Sequence, residues 1–481
     1  MNQAFIIIIL IAYFGVLLLI SHYTSKNSTS QSFFTGDKKS PWYLVAFGMI
    51  GTSLSGVTFV SVPGTVTANG FYYYQMVLGF FIGYFIVAYV LLPLYYKYNL
   101  SSIYRYLEYR LGFAAYKWGA GYFILSRTLG ATVRLYLVIN VLQLFVFDSV
   151  GIPFWLSTVI IIAMIIAYTF RGGVKTIVWT DTLQTLFMLI AVGVAIYYIS
   201  DGLGIGDDGV LNFIAQSDLS QIFFFDDYKS SNYFFKQFVS GMFIAIVMTG
   251  LDQDMMQKNL TCRNLKDAQK NMFWFTIVLT IVNLIFLGLG LLLTIYAEQN
   301  GIDAHKDTLF STIAMNDNFG WGIGVFFLLG LIAAAYSSAD SALTSLTTSF
   351  SIDILDIEKK HTPEDQIKVR KKVHIAMSLV LILVIVSFNY LIGDASVITK
   401  LFVFTGYTYG PLLGLYAFGL FSKQKIKDRF VPIIAILTPF VGYAISYFSS
   451  LWFGFEFGFF ILILNGLLTY LGLVLIRTQQ N

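Results

Sequence analysis

The chain is poor in charge. Only 12% of its 481 residues are Asp, Glu, Lys or Arg, about half the share carried by a soluble domain. So little charge cannot solvate an ordinary globular surface, which excludes soluble enzymes, nucleic-acid-binding domains and disordered proteins. There is one cysteine, Cys262, so no internal disulfide can form. The four histidines, His22, His305, His361 and His374, are scattered over loops and segment ends. A membrane-embedded enzyme would need clustered His or a nucleophile–base pair inside its spans, so no enzymatic activity is expected. Short alternating segments are also missing, which excludes a β-barrel.

What is present is apolar length. Hydrophobic residues make up 57% of the chain and aromatics 17%, and mean hydropathy is +0.73. Runs of about 20 apolar residues, each sufficient to cross a bilayer as a helix, recur near 4–22, 42–62, 72–96, 114–147, 153–170, 176–200, 234–256, 271–297, 320–352, 373–393, 397–421, 430–449 and 454–476. The first run has no basic region before it and no small-residue cleavage site after it, so it reads as a retained span and not a signal peptide. With the N-terminus outside, the inward segments hold 24 of the 30 Lys and Arg residues. That bias predicts a multi-pass protein of an inner or plasma membrane, N-terminus out and C-terminus in the cytoplasm. The longest outward loop, 201–233, is acidic, with Asp207, Asp208, Asp218, Asp226 and Asp227.

Three spans are unlike passive lipid-facing helices. The second reads FGMIGTSLSGVTFVSVPGTVTANG from Phe47 to Gly70. Its Thr52, Ser53, Ser55 and Thr58 lie where lipid cannot satisfy them, among Gly51, Gly56, Pro63 and Gly64. The glycines and proline allow unwinding, and freed carbonyls can then face a cavity and bind a cation. A kinked helix with hydroxyls bonded to its own backbone is the plainer alternative. The ninth span contains AAAYSSADSALTS, Ala333 to Ser345. Ala334, Ser337, Ser338 and Ser341 fall on one helical face, with Asp340 beside it. Hydroxyls and a carboxylate are hard oxygen donors suited to Na⁺-like cations, and an ionisable residue within a span points to function. The seventh span ends in TGLDQDMMQKNLTC, Thr249 to Cys262, where Asp252 and Asp254 follow Gly250. Asp181 opens the sixth span and is positioned to face the ninth. Arg127 and Arg134 are seven residues apart on the fourth, each able to clamp a carboxylate or to pair with Asp181, Asp252 or Asp254.

Taken together, GTSLSGVTFVSVPG (51–64), SSIYRYLEYRLG (101–112), FRGGVKTIVWTDTLQ (170–184), DQDMMQKNLTC (252–262), YSSADSALTS (336–345) and GPLLGLYAFGL (410–420) resemble the sodium:solute symporters over nearly the whole chain. The likeness is nearest the monocarboxylate, iodide and vitamin branch, with sialic-acid transporters close behind. The resemblance implies an all-α integral membrane protein of the leucine-transporter type. It would have about 13 transmembrane helices, a 5+5 inverted repeat, and a broken helix at the first span of each half. The implied organisation is an extra N-terminal helix and loop (1–40), a first repeat (41–200), an extracellular loop (201–233), a second repeat (234–422) and two C-terminal helices (423–481).

The resemblance also implies site residues. A first Na⁺ would be held by the carbonyls of Gly51, Leu54 and Ala334 and the hydroxyls of Ser337 and Ser338. A second would fall on Asp181, Ser337, Asp340 and Ser341; relatives often have Ser at the place of Asp340, which either strengthens this site or takes a proton instead. Solute would be lined by Ser53, Ser55 and Thr58, with Tyr73, Gln75 and Thr249 beside them. The position at which sialic-acid transporters use an Arg falls on Gly130, about one turn from both Arg127 and Arg134. The implied function is Na⁺-coupled symport of a small organic solute, a monocarboxylate or other organic anion, into the cell by alternating access. Alternatives are a sugar or sialic acid symporter, a proton-coupled relative, or a sensor or channel of the same fold. Na⁺ is the expected coupling ion with no organic cofactor; the expected partners are the solute and the lipid bilayer, with neither nucleic acid nor an obligatory protein partner.

Overall fold

The computed structural model describes residues 3–26, 29–205, 209–304, 306–316, 320–391 and 397–478. Asp207, Asp208 and His305 lie outside the described residues. In lipid each backbone polar group must be satisfied within its own segment, so long apolar runs become helices. They are α1 (Gln3–Ser25), α2 (Trp42–Ser53), α3 (Gly56–Asn69), α4 (Tyr73–Lys97), α5 (Phe113–Val150), α6 (Phe154–Gly172), α7 (Val174–Gly202), α8 (Phe234–Gly250), α9 (Gln253–Asn259), α10 (Leu265–Gln299), α11 (Gly320–Ser349), α12 (Pro363–Leu391), α13 (Val397–Phe421), α14 (Val431–Phe453) and α15 (Ile461–Leu475).

Among the described residues ten helices are long and apolar enough to cross a membrane, and two bent pairs bring the number to twelve. The remaining expected span, α13, has 25 residues but carries Thr405, Tyr407, Thr408, Tyr409 and Pro411 near its middle. The bent pairs are α2/α3, turned by 56°, and α8/α9, turned by 67°. Both stand at the first span of an expected half. The β-structure among the described residues is a two-residue antiparallel pairing, Lys425–Ile426 with Arg477–Thr478, and an isolated parallel bridge between Ser40 and Cys262.

The centre of the bundle is α11, whose span is 83% buried, against 22% for the outer span Asp428–Phe453. α11 packs along α7, and α7 packs along α2. Gly51 makes that second contact possible, since a Cβ there would fall 2.2 Å from Thr185 Oγ1. α4 and α8 touch through a reciprocal glycine pair. A Cβ on Gly79 would meet the Phe238 carbonyl at 2.0 Å, and one on Gly241 the Met76 carbonyl at 2.1 Å. Small residues at such crossings are how helices in lipid approach closely.

The segments rich in Lys and Arg gather on one face. Lys117 pairs with Asp356 at 3.0 Å and Arg105 with Glu358 at 2.8 Å. Asp428 accepts from the Ala114 and Ala115 amides at 2.6 and 2.9 Å. At the other end, Lys236 Nζ donates to the carbonyls of Lys229 and Glu456 at 2.8 and 2.9 Å.

Candidate functional site

The first break follows from local sequence. Leu54 (φ −79°, ψ 65°) and Ser55 (φ −67°, ψ 176°) leave the helical region between two glycine-containing turns. The backbone bonds at the break are Leu54 N–H to Ile50 C=O (2.8 Å) and Phe59 N–H to Ser55 C=O (3.0 Å). Neither uses the carbonyl of Gly51 or of Leu54. The second break differs. There Tyr95 and Tyr104 hydroxyls donate to the Gly250 and Leu251 carbonyls at 2.7 and 3.0 Å, so protein side chains take up the freed acceptors.

Beside the first break lies a narrow cleft with a cavity volume of about 80 Å³, below the roughly 300–1,000 Å³ of small-molecule sites. Ser53, Ser55, Thr58, Tyr73 and Thr249 line it, together with Tyr84, Asn283, Arg127 and Arg134. Gln75 does not. Its amide donates to the Tyr72 and Asn232 carbonyls at 3.2 and 3.0 Å, and its oxygen accepts from Phe224 N–H at 3.1 Å. With both amide protons given to backbone carbonyls and its oxygen accepting from the 221–233 segment, the side chain is engaged there and not in the cleft. Gly130 is absent from the lining, whereas both arginines flanking it in sequence are present.

Those two arginines differ in their partners. Arg127 is paired with Asp254 and stands 3.9 Å from Asp252. Asp252 also accepts from the Tyr409 hydroxyl, and its other oxygen caps α9 by accepting Asp254 N–H at 2.9 Å. Arg134 is buried, and among the described residues it has neither an ion pair nor a hydrogen-bond partner; its Nε is enclosed and unsatisfied. One cationic side chain facing the cleft is thus neutralised and the other is not.

On the far side of the break, Ser337 and Ser338 project from α11. Ser337 Oγ donates to Asp181 Oδ1 at 2.7 Å, which leaves its lone pairs available to a cation. Ser338 Oγ is buried with no hydrogen-bond partner among the described residues. An orphaned hydroxyl one helical turn from Ala334, beside a broken helix whose carbonyls lie outside the ladder, fits a hard oxygen-seeking cation such as Na⁺.

The expected second cation position is different. Asp181, fully buried, accepts from Thr52 Oγ1 at 3.0 Å and from Ser341 Oγ at 3.5 Å through Oδ2. In its satisfied orientation the Gln184 amide donates to Oδ1 at 3.1 Å. Into this cluster comes Lys258, whose Nζ donates to Asp181 Oδ2 and to Ser341 Oγ, both at 2.6 Å, and to Thr52 Oγ1. Asp340 stands apart from it. One of its oxygens accepts from Tyr168 OH at 2.8 Å, and the other is buried without a partner among the described residues. Sequence reasoning counted Lys258 only among inward-facing cations. Its position six residues after the Asp252 cap could have flagged it, because α9 is entirely buried and carries Lys258 inward with it.

The comparisons agree with this architecture. The family model described as the sodium:solute symporter family matches residues 33–427. The sodium/sialic acid symporter SiaT of Proteus mirabilis (strain HI4320) is 26% identical over 470 residues, covering 92% of this chain and 90% of that one. The human (Homo sapiens) sodium/iodide cotransporter is 25% identical over 419 residues, covering 85% of this chain and 64% of that one. A solved Na⁺-coupled sialic acid symporter in a substrate-bound outward-open state superposes with a TM-score of 0.83, at 21% identity and 100% coverage of both chains. The fold and the matched length together show that the chain belongs to the sodium:solute symporter family.

Proposed function

We propose that this multi-pass membrane protein carries a small, polyhydroxylated carboxylate into the cell together with Na⁺. The observation that carries the reading is Arg134. It is a buried guanidinium with no acid of its own, facing a cleft lined by the hydroxyls of Ser53, Ser55, Thr58 and Thr249 and the amide of Asn283. A carboxylate on the solute supplies the missing partner bidentately. The ring of hydroxyl and amide groups suits a sugar acid better than a short unsubstituted monocarboxylate. The P. mirabilis relative named above, a sialic acid symporter, supports that choice.

Coupling arises because cation and solute share one element. In this reading Na⁺ lies against the Gly51, Leu54 and Ala334 carbonyls and the Ser337 and Ser338 hydroxyls. Binding there orders the α2/α3 break, and the same break presents Ser53, Ser55 and Thr58 to the solute. Each ligand then binds better when the other is present, a reciprocal coupling typically worth about 1–3 kcal/mol. The halves 41–200 and 234–422 act as inverted repeats that rock about this site, with the Lys- and Arg-rich face in the cytoplasm.

The test is a proteoliposome uptake screen of sialic acid, short monocarboxylates, neutral sugars and vitamins, with and without an inward Na⁺ gradient. Accumulation of an acidic solute that requires the gradient, with a raised KM in Arg134→Gln, is the expected result. Gradient-driven accumulation of a neutral sugar, unaffected by Arg134→Gln, would overturn the carboxylate assignment.

A further inference from the structure

The chamber around Asp181 has the chemistry of a monovalent cation site, and a cation of the protein's own fills it. The Lys258 ammonium has three donors, and three oxygens of different helices meet them: Thr52 of α2, Asp181 of α7 and Ser341 of α11. A carboxylate and two hydroxyls form the kind of hard-oxygen set that a dehydrated Na⁺ also requires. Contacts of 2.6 Å to both Asp181 and Ser341 leave no room for an ion between them. Nor is the ammonium on a loose tether. Its exposure is 2%, its own carbonyl accepts from Thr261 Oγ1 at 2.7 Å, and the neighbouring Gln257 amide is bonded to the Phe34 carbonyl at 2.7 Å.

We infer that Lys258 is a tethered cation standing in the place of a second Na⁺, so that this chain binds a single Na⁺, at Ser338. The inference rests on the Na⁺-coupled reading above. It makes ion stoichiometry a property of one side chain. An ordinary buried ion pair would share this geometry, but its removal would leave a chamber with no affinity for ions. A cation position, once emptied, takes up a free cation.

The experiment counts ²²Na⁺ bound to purified full-length protein and needs no solute. The wild type is expected to bind one ion per chain hyperbolically. Lys258→Ala, which removes the ammonium and leaves space, should bind two, with ethylammonium displacing only one of them. Lys258→Ala/Asp181→Asn should return to one ion, insensitive to ethylammonium. Two results would overturn the inference. One is a wild type that binds two ions and loses one in Asp181→Asn. The other is a monodisperse Lys258→Ala protein that still binds one. Should Lys258→Ala fail to fold, Lys258→Ser, which also empties the position, is counted in its place, and a monodisperse Lys258→Ser protein that binds one ion would equally overturn the inference. A different failure, wild-type binding unchanged by Ser338→Ala, would strike the Na⁺-site reading instead.

Discussion

The ammonium of Lys258 stands 2.6 Å from a carboxylate oxygen of Asp181, and neither side chain is more than 2% exposed. The pair joins α9 to α7. It continues through Asp254, 4.0 Å from Lys258, to Arg127 on α5. Acid and base alternate along a buried line that crosses from the first expected repeat to the second. Desolvating such charges is expensive and is offset only while every member keeps its partner. The line joins α7, α9 and α5 to one another, and Arg134 is the cation left outside it.

That difference separates the two arginines experimentally. Arg127→Gln leaves Asp254 buried without its partner and should cost about 3–5 kcal/mol of stability. Arg134→Gln breaks no interaction within the protein and should leave the melting temperature unchanged or higher. It should raise KM for an acidic solute about 10- to 100-fold, since a hydrogen bond to a charged group is worth about 1.5–3 kcal/mol. Thermal unfolding in detergent and initial-rate uptake measure the two effects separately.

Ser338→Ala removes a hydroxyl that has no hydrogen-bond partner among the described residues. Stability should move by less than about 0.5 kcal/mol. Na⁺ affinity should fall about tenfold or more, equivalent to about 1.4 kcal/mol. Equilibrium ²²Na⁺ binding reads the affinity, and an unchanged Kd would remove Ser338 from the cation site.

Gln75→Leu tests a residue whose role the structure reassigns. The substitution leaves the Phe224 N–H and the Asn232 carbonyl without their side-chain partners, at about 1–3 kcal/mol for each unsatisfied group. Cleavage of the 217–233 segment by added protease should accelerate, while KM for the transported solute stays within twofold. A selective rise in KM with unchanged proteolysis would return Gln75 to the solute site.

Cys262 should be inert in the folded protein. It is fully buried between α9 and α10, and burial, with a smaller contribution from Asp267, pushes its thiol up to about 12. The reactive species is the thiolate, which is scarce several pH units below that value. Maleimide labelling at pH 7.5 should be slow for the native protein and fast after denaturation in detergent. Rapid native labelling would mean that the α9–α10 corner opens.

Much of the arrangement was legible in residue order. Hydropathy located the long helices, because a bilayer imposes both length and apolarity on a spanning segment. The Gly and Ser content of 51–64 announced the first break, and small spacing on one helical face grouped Ser337, Ser338 and Ser341. Gln75 was misread because a polar side chain near a span end looks the same in sequence whether it meets solute or a loop carbonyl. Asp340 shows the same limit of sequence. Its neighbour relation to Ser337 and Ser341 along α11 does not reveal that its carboxylate turns to Tyr168, 172 residues earlier.

Sequence alone therefore determined that this is a multi-pass helical membrane protein with an unusual second span and an oxygen-rich ninth, since both follow from local composition and the 3.6-residue period. Pairing among charges was decided only by tertiary structure. Asp181 and Lys258 are 77 residues apart and Arg127 and Asp254 are 127 apart. Hydropathy assigns a charge to a depth or a side of the membrane, but it carries no information about which opposite charge will be packed against it. The folded bundle supplied that information by carrying α9 inward, so that Lys258 meets Asp181 and one arginine is left facing the cleft.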